Sequence, residues 1–234
     1  MTTQHPDFLM EVKNGLRKAP KVCIKHQLPG EKANIVDKGI SKPLLASMTG
    51  VSDIALDNPT GSVTISQQSL FGVKGALRWL KACGYAGYVV DWWTPFPHTF
   101  SQLGQVYLAA DYLRIWDLTE MLEKILEARA KAQVHSECVA AIYKNIKQPH
   151  ILKAIASKSI ADAIFEERIK HESKYWELCR NSAFKEFKED LKREIEMKEE
   201  DWRKTSEGFD WLETEVENPR TLWEVKEERY LMQS

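Results

Sequence analysis

Residues with reactive side chains are scattered along this chain, and one pair has a spacing that suggests chemistry. His135 and Cys138 lie three residues apart, which places them one turn apart on a helix. An imidazole beside a thiolate would give a redox or nucleophilic group. The simpler interpretation is a helix face with one polar and one small apolar residue, and we favour it. We therefore predict no catalytic residue here.

Metal, phosphate and acid–base chemistry also lack a supporting pattern. The other histidines considered, His26, His98 and His150, have no partner at the spacing of zinc ligands. Glycines recur at 72, 75, 84 and 87, but the Gly-Lys-Ser/Thr ending of a phosphate loop is absent, which favours helix packing and turns. The carboxylates at 166 and 167 belong to a solvated face. We predict no metal site and no cofactor, and the chain is not expected to be an enzyme.

Charge and hydropathy exclude further classes of function. The chain has 33 basic and 34 acidic residues among 234, so its net charge of −1 predicts no direct nucleic-acid binding. No apolar run reaches the roughly 18 residues of a membrane span, and the N-terminus lacks the pattern of a signal peptide. Four separate cysteines, without a C-x-x-C pair, are typical of small core residues. We expect an intracellular protein, nuclear or cytoplasmic.

Two aromatic segments are candidates for binding a protein partner. The segment 91–98 contains Trp92, Trp93 and Phe96, which would either grip a partner or plug the edge of the core. The acidic stretch from 206 to 234 contains Trp211 and Trp223. These two would either anchor a short docking motif or fold back as a final strap on the preceding helices. Both alternatives stay open at each segment.

The order of predicted elements indicates an α+β fold. An opening helix over 7–18 precedes short strands at 22–24, 34–36 and 62–65. Ser41 is predicted to cap a short helix that ends at Gly50, and a buried helix follows over 70–82 and ends at Gly84. A loop over 85–100 then leads to a helix pair within 104–127. Asp117 is predicted as the N-cap of its second helix, with Glu120 completing a capping box.

The rest of the chain is predicted to be helical and increasingly charged. An amphipathic helix covers 133–147, and helix continues from residue 151. A narrow apolar stripe then runs through an ionic surface; its members are Phe184, Phe187, Leu191, Ile195 and Trp202. We divide the chain into a first domain over 1–130, a helical extension over 131–205 and a tail over 206–234.

The first 130 residues resemble a BTB/POZ domain of the divergent, fungal type. Val22, Cys23 and Ile24 are similar to the family's first strand, and the segment 40–45 (ISKPLL) resembles its strand-to-helix step. The segment 106–112 (VYLAADY) is the closest match. Ser41 stands where the family has a His, and the usual Asp before the first strand is absent. The resemblance implies a small sheet covered by helices, followed here by an all-α extension.

The resemblance also implies a function in protein–protein assembly. Domains of this family form homodimers or heterodimers, and many are adaptors of cullin-type ubiquitin ligases or chromatin-associated scaffolds. If the family's opening helix makes the dimer here, its interface would consist of Phe8, Leu9, Val12 and Leu16. We therefore expect a scaffold or adaptor with protein partners. The alternative is a chromatin-associated or transcriptional cofactor subunit, and an enzyme with an unrecognised site is the weakest candidate.

Overall fold

The computed structural model describes residues 19–30, 32–49, 61–66, 68–86, 89–91, 99–204 and 221–231. The chain divides into two compact units, 1–126 and 127–234. The predicted division at residue 130 falls close to this boundary. The described part of the predicted tail belongs to the second unit. A small sheet with helices in the first unit and helices in the second give the α+β class that was predicted.

The first unit contains a three-stranded sheet with the order β2-β1-β3. Its strands are β1 (Lys21–Gln27), β2 (Asn34–Ser41) and β3 (Ser62–Ser66). β1 pairs antiparallel with β2 and parallel with β3. In β1 every second residue, Val22, Ile24 and His26, is buried, because alternate side chains of a strand point to the same face. All three predicted strands are confirmed.

A short helix, α1 (Lys42–Met48), directly follows β2. A proline in its first turn suits a helix start, and Leu44, Leu45 and Met48 are buried. Ser41 occupies the N-cap position, as predicted, but its side chain makes no capping hydrogen bond. The Ser41 hydroxyl is instead buried without a hydrogen-bond partner. The helix therefore starts through its proline and its apolar face, without help from a side-chain cap.

Two helices follow β3: α2 (Leu70–Ala86) and α3 (Phe100–Tyr112). They pack at backbone distance. A Cβ atom at Gly72 would lie 2.1 Å from the Gln105 carbonyl oxygen, and one at Gly75 would lie 2.7 Å from Val106 Cγ2. The expected role of these glycines in helix packing is thus confirmed. The sequence predicts that α2 ends at Gly84, but the helix continues to Ala86.

The helix pair α3 and α4 (Trp116–Ala130) has the predicted buried faces but different ends. α3 begins at Phe100, inside the predicted loop, because Thr99 and Gln102 form a reciprocal capping box. The predicted cap at Asp117 is wrong, since α4 begins one residue earlier and Asp117 lies in its first turn. Of the apolar residues that helical spacing places on these faces, Met121 and Ile125 are half-buried and the others are buried: Val106, Tyr107, Ala109, Ala110, Leu113, Leu118, Leu122 and Leu126.

The second unit, in its described residues, is helical. Its elements are α5 (Ser136–Asn145), α6 (Ile151–Phe165), α7 (Glu172–Arg180), a 3-10 turn (Ser182–Phe184), α8 (Lys185–Arg203) and α9 (Leu222–Leu231). Ten of the 15 residues of α6 are buried, so α6 is the centre of this unit. On α8 the predicted stripe is confirmed at Phe187, Leu191 and Ile195, which are fully buried.

Two helix ends share a feature that the sequence conceals. α3 ends with Arg114 in the left-handed conformation (φ 53°), and the amides of Arg114 and Ile115 donate back to Asp111 and Ala110. α6 ends in the same way at Glu167 (φ 54°). Both are Schellman motifs, which usually have glycine at this position. Helix was predicted to continue beyond residue 151, so the break at Glu167 was missed because no glycine marks it.

Among the described residues, no helix combines the length and the apolarity needed to cross a membrane.

Candidate interaction surfaces

Most residues predicted to bind partners lie outside the described residues. This holds for the predicted dimer interface, Phe8, Leu9, Val12 and Leu16, and for Trp92, Trp93, Phe96 and Trp211. Their roles stay predictions. Trp223 is the one predicted site residue that the structure describes.

Large aromatic side chains are exposed where α2, α3 and α4 end or begin. Tyr85 near the end of α2 is 77% exposed, and Trp116 at the start of α4 is 63% exposed. Tyr112, the last residue of α3, is 43% exposed. Exposed aromatic residues of this size are concentrated at protein interfaces, because they bury much area with few rotatable bonds. Tyr85, Tyr112 and Trp116 are named the exposed aromatics below.

The tight α3–α4 connection explains why two of the exposed aromatics face solvent. Leu113 and Ile115 are buried on either side of Arg114. The left-handed Arg114 turns the chain so that these two apolar residues enter the core, while Tyr112 and Trp116 flank the turn outside. Sequence patterns alone gave Tyr112 a place in a motif but did not mark Trp116. The signal that was missed is a Trp beside an unmarked helix end.

The end of α2 holds the residues that lead into the predicted aromatic loop. Trp79 Nε1 donates to the Val90 carbonyl oxygen at 2.9 Å, and the Val90 amide donates to Cys83 Sγ at 3.4 Å. Burial raises the pKa of Cys83 to about 11, and the Asp117 carboxylate adds to the rise. Burial likewise raises the pKa of Asp117, with a contribution from Glu120. Val90 therefore lies against α2, and Cys83 is a protonated core residue.

Trp223 is buried within its own chain, which corresponds to the second of the two roles left open for it. It is 1% exposed and lies in α9, with its ring centroid 5.0 Å from that of Trp176 on α7. Tyr230, two turns further along α9, stacks on the same Trp176 ring at 5.5 Å. The fold-back alternative therefore describes Trp223 in this structure. The physical reason is that packing against α7 and α8 buries the apolar Trp223 ring, which would otherwise be exposed to water.

Two ion pairs join α9 to α8 and α7, one through an acidic and one through a basic residue of α9. Lys188 Nζ of α8 lies 2.6 Å from Glu227 Oε1, and Lys226 Nζ of α9 lies 3.2 Å from Glu172 Oε1. Trp223 Nε1 donates to the other Glu227 oxygen at 2.9 Å. The hydrogen bond from Lys188 lowers the pKa of Glu227. Glu227 is thus charged and paired from both sides.

The start of α9 carries a capping box that was not predicted. The Glu224 amide donates to Thr221 Oγ1 at 3.2 Å, and the Thr221 amide donates to Glu224 Oε2 at 2.9 Å. The Glu199 side chain of α8 accepts from the Leu222 amide. The T-x-x-E spacing before an apolar residue was readable in the sequence. It identifies a helix inside what was described as a tail.

A buried polar cluster joins α5, α6 and α8. Lys153 is 2% exposed, and its Nζ lies 2.6 Å from Glu186 Oε1 and 5.4 Å from the centre of the Tyr143 ring. Tyr143 donates to Asp190 Oδ2 at 2.8 Å, and both burial and this bond raise its pKa. Every charge in the cluster has a partner. The arrangement fixes three helices in register, and its lysine is committed to Glu186.

The described residues of the second unit form two clefts of note. A cleft of about 350 Å³ is lined by the end of α4, by α6 and by Glu194 of α8, with apolar residues and charges of both signs. A cleft of about 250 Å³ contains His135, His171 and Tyr175. His135 is the N-cap residue of α5, and Cys138 one turn later is half-buried.

Two histidines of the described residues make hydrogen bonds to the backbone. His26 Nε2 lies 2.6 Å from the Gln68 carbonyl oxygen, and His150 caps α6 by accepting from the Leu152 amide. Cys83 and Cys179 are buried, as predicted for core cysteines, whereas Cys23 and Cys138 are half-buried. Within the described ranges, no three His, Cys, Asp or Glu side chains are grouped so that they could hold a metal ion.

No protein-family model matches this sequence, and no curated protein matches it.

Proposed function

We propose that this chain is a non-enzymatic scaffold or adaptor that self-associates or heterodimerises through a BTB/POZ-like first unit. The observation that carries the proposal is the order and pairing of the first elements. An antiparallel β1–β2 hairpin is followed by α1, by β3 parallel to β1, and by the helices α2 and α3. The segments 22–24, 40–45 and 106–112, on which the resemblance rests, belong to β1, to the β2–α1 step and to α3 of this series.

The exposed aromatics support a role in binding proteins. Tyr85 and Trp116 present large, mostly exposed rings on the first unit. Few features of the described residues favour chemistry, because the buried lysine is paired and the buried cysteines have raised pKa values. A cullin-type ubiquitin ligase is the proposed assembly. A chromatin-associated complex is the alternative that partner identification would reveal.

Sedimentation of the full-length chain tests self-association. We expect a dimer at micromolar concentration, and we expect Leu9→Asp with Val12→Asp to convert it to a monomer, because charges would be buried at the predicted interface. Trp116→Ala is the matched control, since Trp116 lies on another element of the same unit and should leave the dimer intact. A wild-type chain that is monomeric at this concentration contradicts homodimerisation.

Affinity purification with mass spectrometry tests the adaptor role. The tagged wild-type chain is compared with a variant that carries Tyr85→Ala and Trp116→Ala. Recovery of a cullin by the wild-type chain and its loss from the variant is the expected result. Recovery of chromatin proteins in place of a cullin supports the alternative. A partner set unchanged by the two substitutions contradicts the role of the exposed aromatics.

A further inference from the structure

The face of α7 and α8 that receives α9 has the composition of a binding site for a short helix. A single aromatic ring, Trp176, contacts both Trp223 and Tyr230 of α9, at 5.0 and 5.5 Å between centroids. Lys188 on one side and Glu172 on the other then pair with Glu227 and Lys226. The face therefore recognises a helix through one ring contact and two charges of opposite sign, which fixes the direction and register of that helix.

Of the residues of α9 whose burial is described, only Trp223 is fully buried, whereas Tyr230 is half-buried and Val225 is 47% exposed. Helices of ten residues, the length of α9, are marginal in water on their own, so α9 depends on its seat for its helical structure. Segments with few buried apolar contacts open at a lower free energy than the core. Opening of α9 therefore costs far less than unfolding the second unit.

α8 and α9 belong to one chain, and sixteen residues separate Lys204 from Thr221 in the sequence. The contact of α9 with this face is therefore intramolecular, and a helix presented by another protein has to compete with it.

We propose that the face formed by Trp176, Lys188 and Glu172 is a docking site for an amphipathic helix of a partner protein, and that α9 occupies it in the free chain. The partner helix carries the pattern that α9 displays: a Trp, a Lys three residues later, a Glu four residues later and a Tyr seven residues later. This site lies in the second unit and is independent of the dimer proposed for the first.

Cys179 provides a reporter of the occupied state. It lies on α7, it is 7% exposed, and its thiol senses both Lys188 and Glu227. Burial raises its pKa to about 12. Departure of α9 would return the thiol toward solvent and toward its ordinary reactivity. Cys83 in the first unit is the internal control, because its burial involves α2 and has no contribution from α9.

Peptide binding to the full-length chain tests the proposal. A labelled peptide of residues 219–232 is titrated into the wild-type chain and into Trp223→Ala, whose own α9 lacks the central ring. We expect the peptide to bind the variant about 10- to 100-fold more tightly than the wild-type chain, because the wild-type site is occupied by its tethered helix. Thiol labelling of Cys179 should be fast in the variant and slow again when the peptide is added. Labelling of Cys83 should not change.

A charge exchange keeps the test informative if Trp223→Ala disturbs the unit. Lys188→Glu repels Glu227, so this chain should release its own α9 and bind a peptide with Glu227→Lys at least tenfold better than the unchanged peptide. A peptide with alanine at the Trp223 position is the negative control. If both variants label at Cys179 and neither binds its peptide at millimolar concentration, the face is a packing surface only and the proposal fails.

Discussion

The α2–α3 contact of the first unit and the α7–α8–α9 contact of the second unit are built in opposite ways. At Gly72 and Gly75 side chains are absent, and backbone meets backbone or a valine methyl group. At α9 long side chains make the contact, through the Trp176 ring and the Lys188–Glu227 pair. The first contact admits no added atom. The second consists of groups that can separate and re-form, and it responds to pH and salt.

Gly72→Ala gives the largest expected effect, because the new Cβ would lie 2.1 Å from a backbone oxygen. Backbone atoms cannot move aside cheaply, so α2 and α3 must separate. We expect the free energy of unfolding of the first unit to fall by about 2–3 kcal/mol, despite the gain of about 0.5–1 kcal/mol that alanine brings to a helix. Urea denaturation measures the change, and hydrogen exchange in α3 locates it.

Substitutions at two other glycines test whether the loss of stability depends on what the new Cβ atom meets. Gly75→Ala meets a side-chain methyl group at 2.7 Å, which can shift, so its cost should be smaller. Gly39→Ala is the matched control, since its nearest neighbour lies 3.7 Å away on an exposed strand position. Equal losses at Gly72 and Gly39 would show that the close approach of α2 and α3 does not limit stability.

Much of the fold followed from the sequence because it depends on periodicity. Alternating apolar residues in β1 and the helical spacing on α3 and α8 identify the buried faces directly. Helix ends depend instead on single residues. The prediction at Asp117 failed because a residue of the right type was given a role that belongs to the backbone turn at Arg114. The left-handed conformation of Arg114 cannot be recognised from the residue type.

The candidate surfaces were harder to predict than the fold. Exposure of Trp116 and burial of Trp223 are decided by contacts between distant elements, and two tryptophans look alike in a sequence. The T-x-x-E spacing at Thr221 and Glu224 was the available clue, because a capped helix buries an apolar face whereas an extended docking motif does not. The buried Lys153 gave no clue, since its partner Glu186 lies on another helix.

Tyr143→Phe should have the second-largest effect. It tests whether hydrogen bonds to carboxylates contribute more to stability in the second unit than in the first. The substitution keeps the ring against Phe187 but removes the hydroxyl that donates to Asp190. We expect a loss of about 1–2 kcal/mol in unfolding free energy, at the lower end because Asp190 keeps its pair with Arg193. The measurement is thermal or urea unfolding, with hydrogen exchange in α5 and α8.

Tyr107→Phe is the corresponding change in the first unit. Tyr107 donates to Glu123 at 2.7 Å and joins α3 to α4. Its loss should be smaller, because the glycine contact still holds the helices of that unit together. If Tyr107→Phe lowers the unfolding free energy more than Tyr143→Phe does, hydrogen bonds to carboxylates matter more in the first unit. The contrast between a first unit held by close packing and a second unit held by polar side chains would then be wrong.

Acid pH should loosen α9 before it affects α2 and α3. The pKa of Glu227 is lowered by Lys188 in the folded chain, so its charge stabilises docking above the usual glutamate value of about 4.3. That contribution is lost as pH falls through the lowered pKa. We expect hydrogen exchange of α9, corrected for intrinsic rates, to rise severalfold between pH 5 and about pH 3. Exchange of α3 should change less, and Glu227→Gln should abolish most of the difference.

Replacing Arg114 and Glu167 by glycine should have the smallest effects on stability, and the two effects should be equal. Arg114 and Glu167 have φ angles of 53° and 54°, where a residue with a Cβ atom pays about 1–2 kcal/mol and glycine pays none. Glycine loses more backbone entropy on folding, by about 0.5–1 kcal/mol, so the net gain should be about 0.5 kcal/mol at each site. Thermal unfolding of Arg114→Gly and Glu167→Gly measures it, with Arg114→Ala as the control that keeps the Cβ and brings no gain.

Because this strain belongs to the backbone, the two gains should match although the units are held together differently. A gain confined to one unit would mean that the turn at the other is stabilised by its own side chain, as the Arg168–Glu166 pair beside Glu167 would allow.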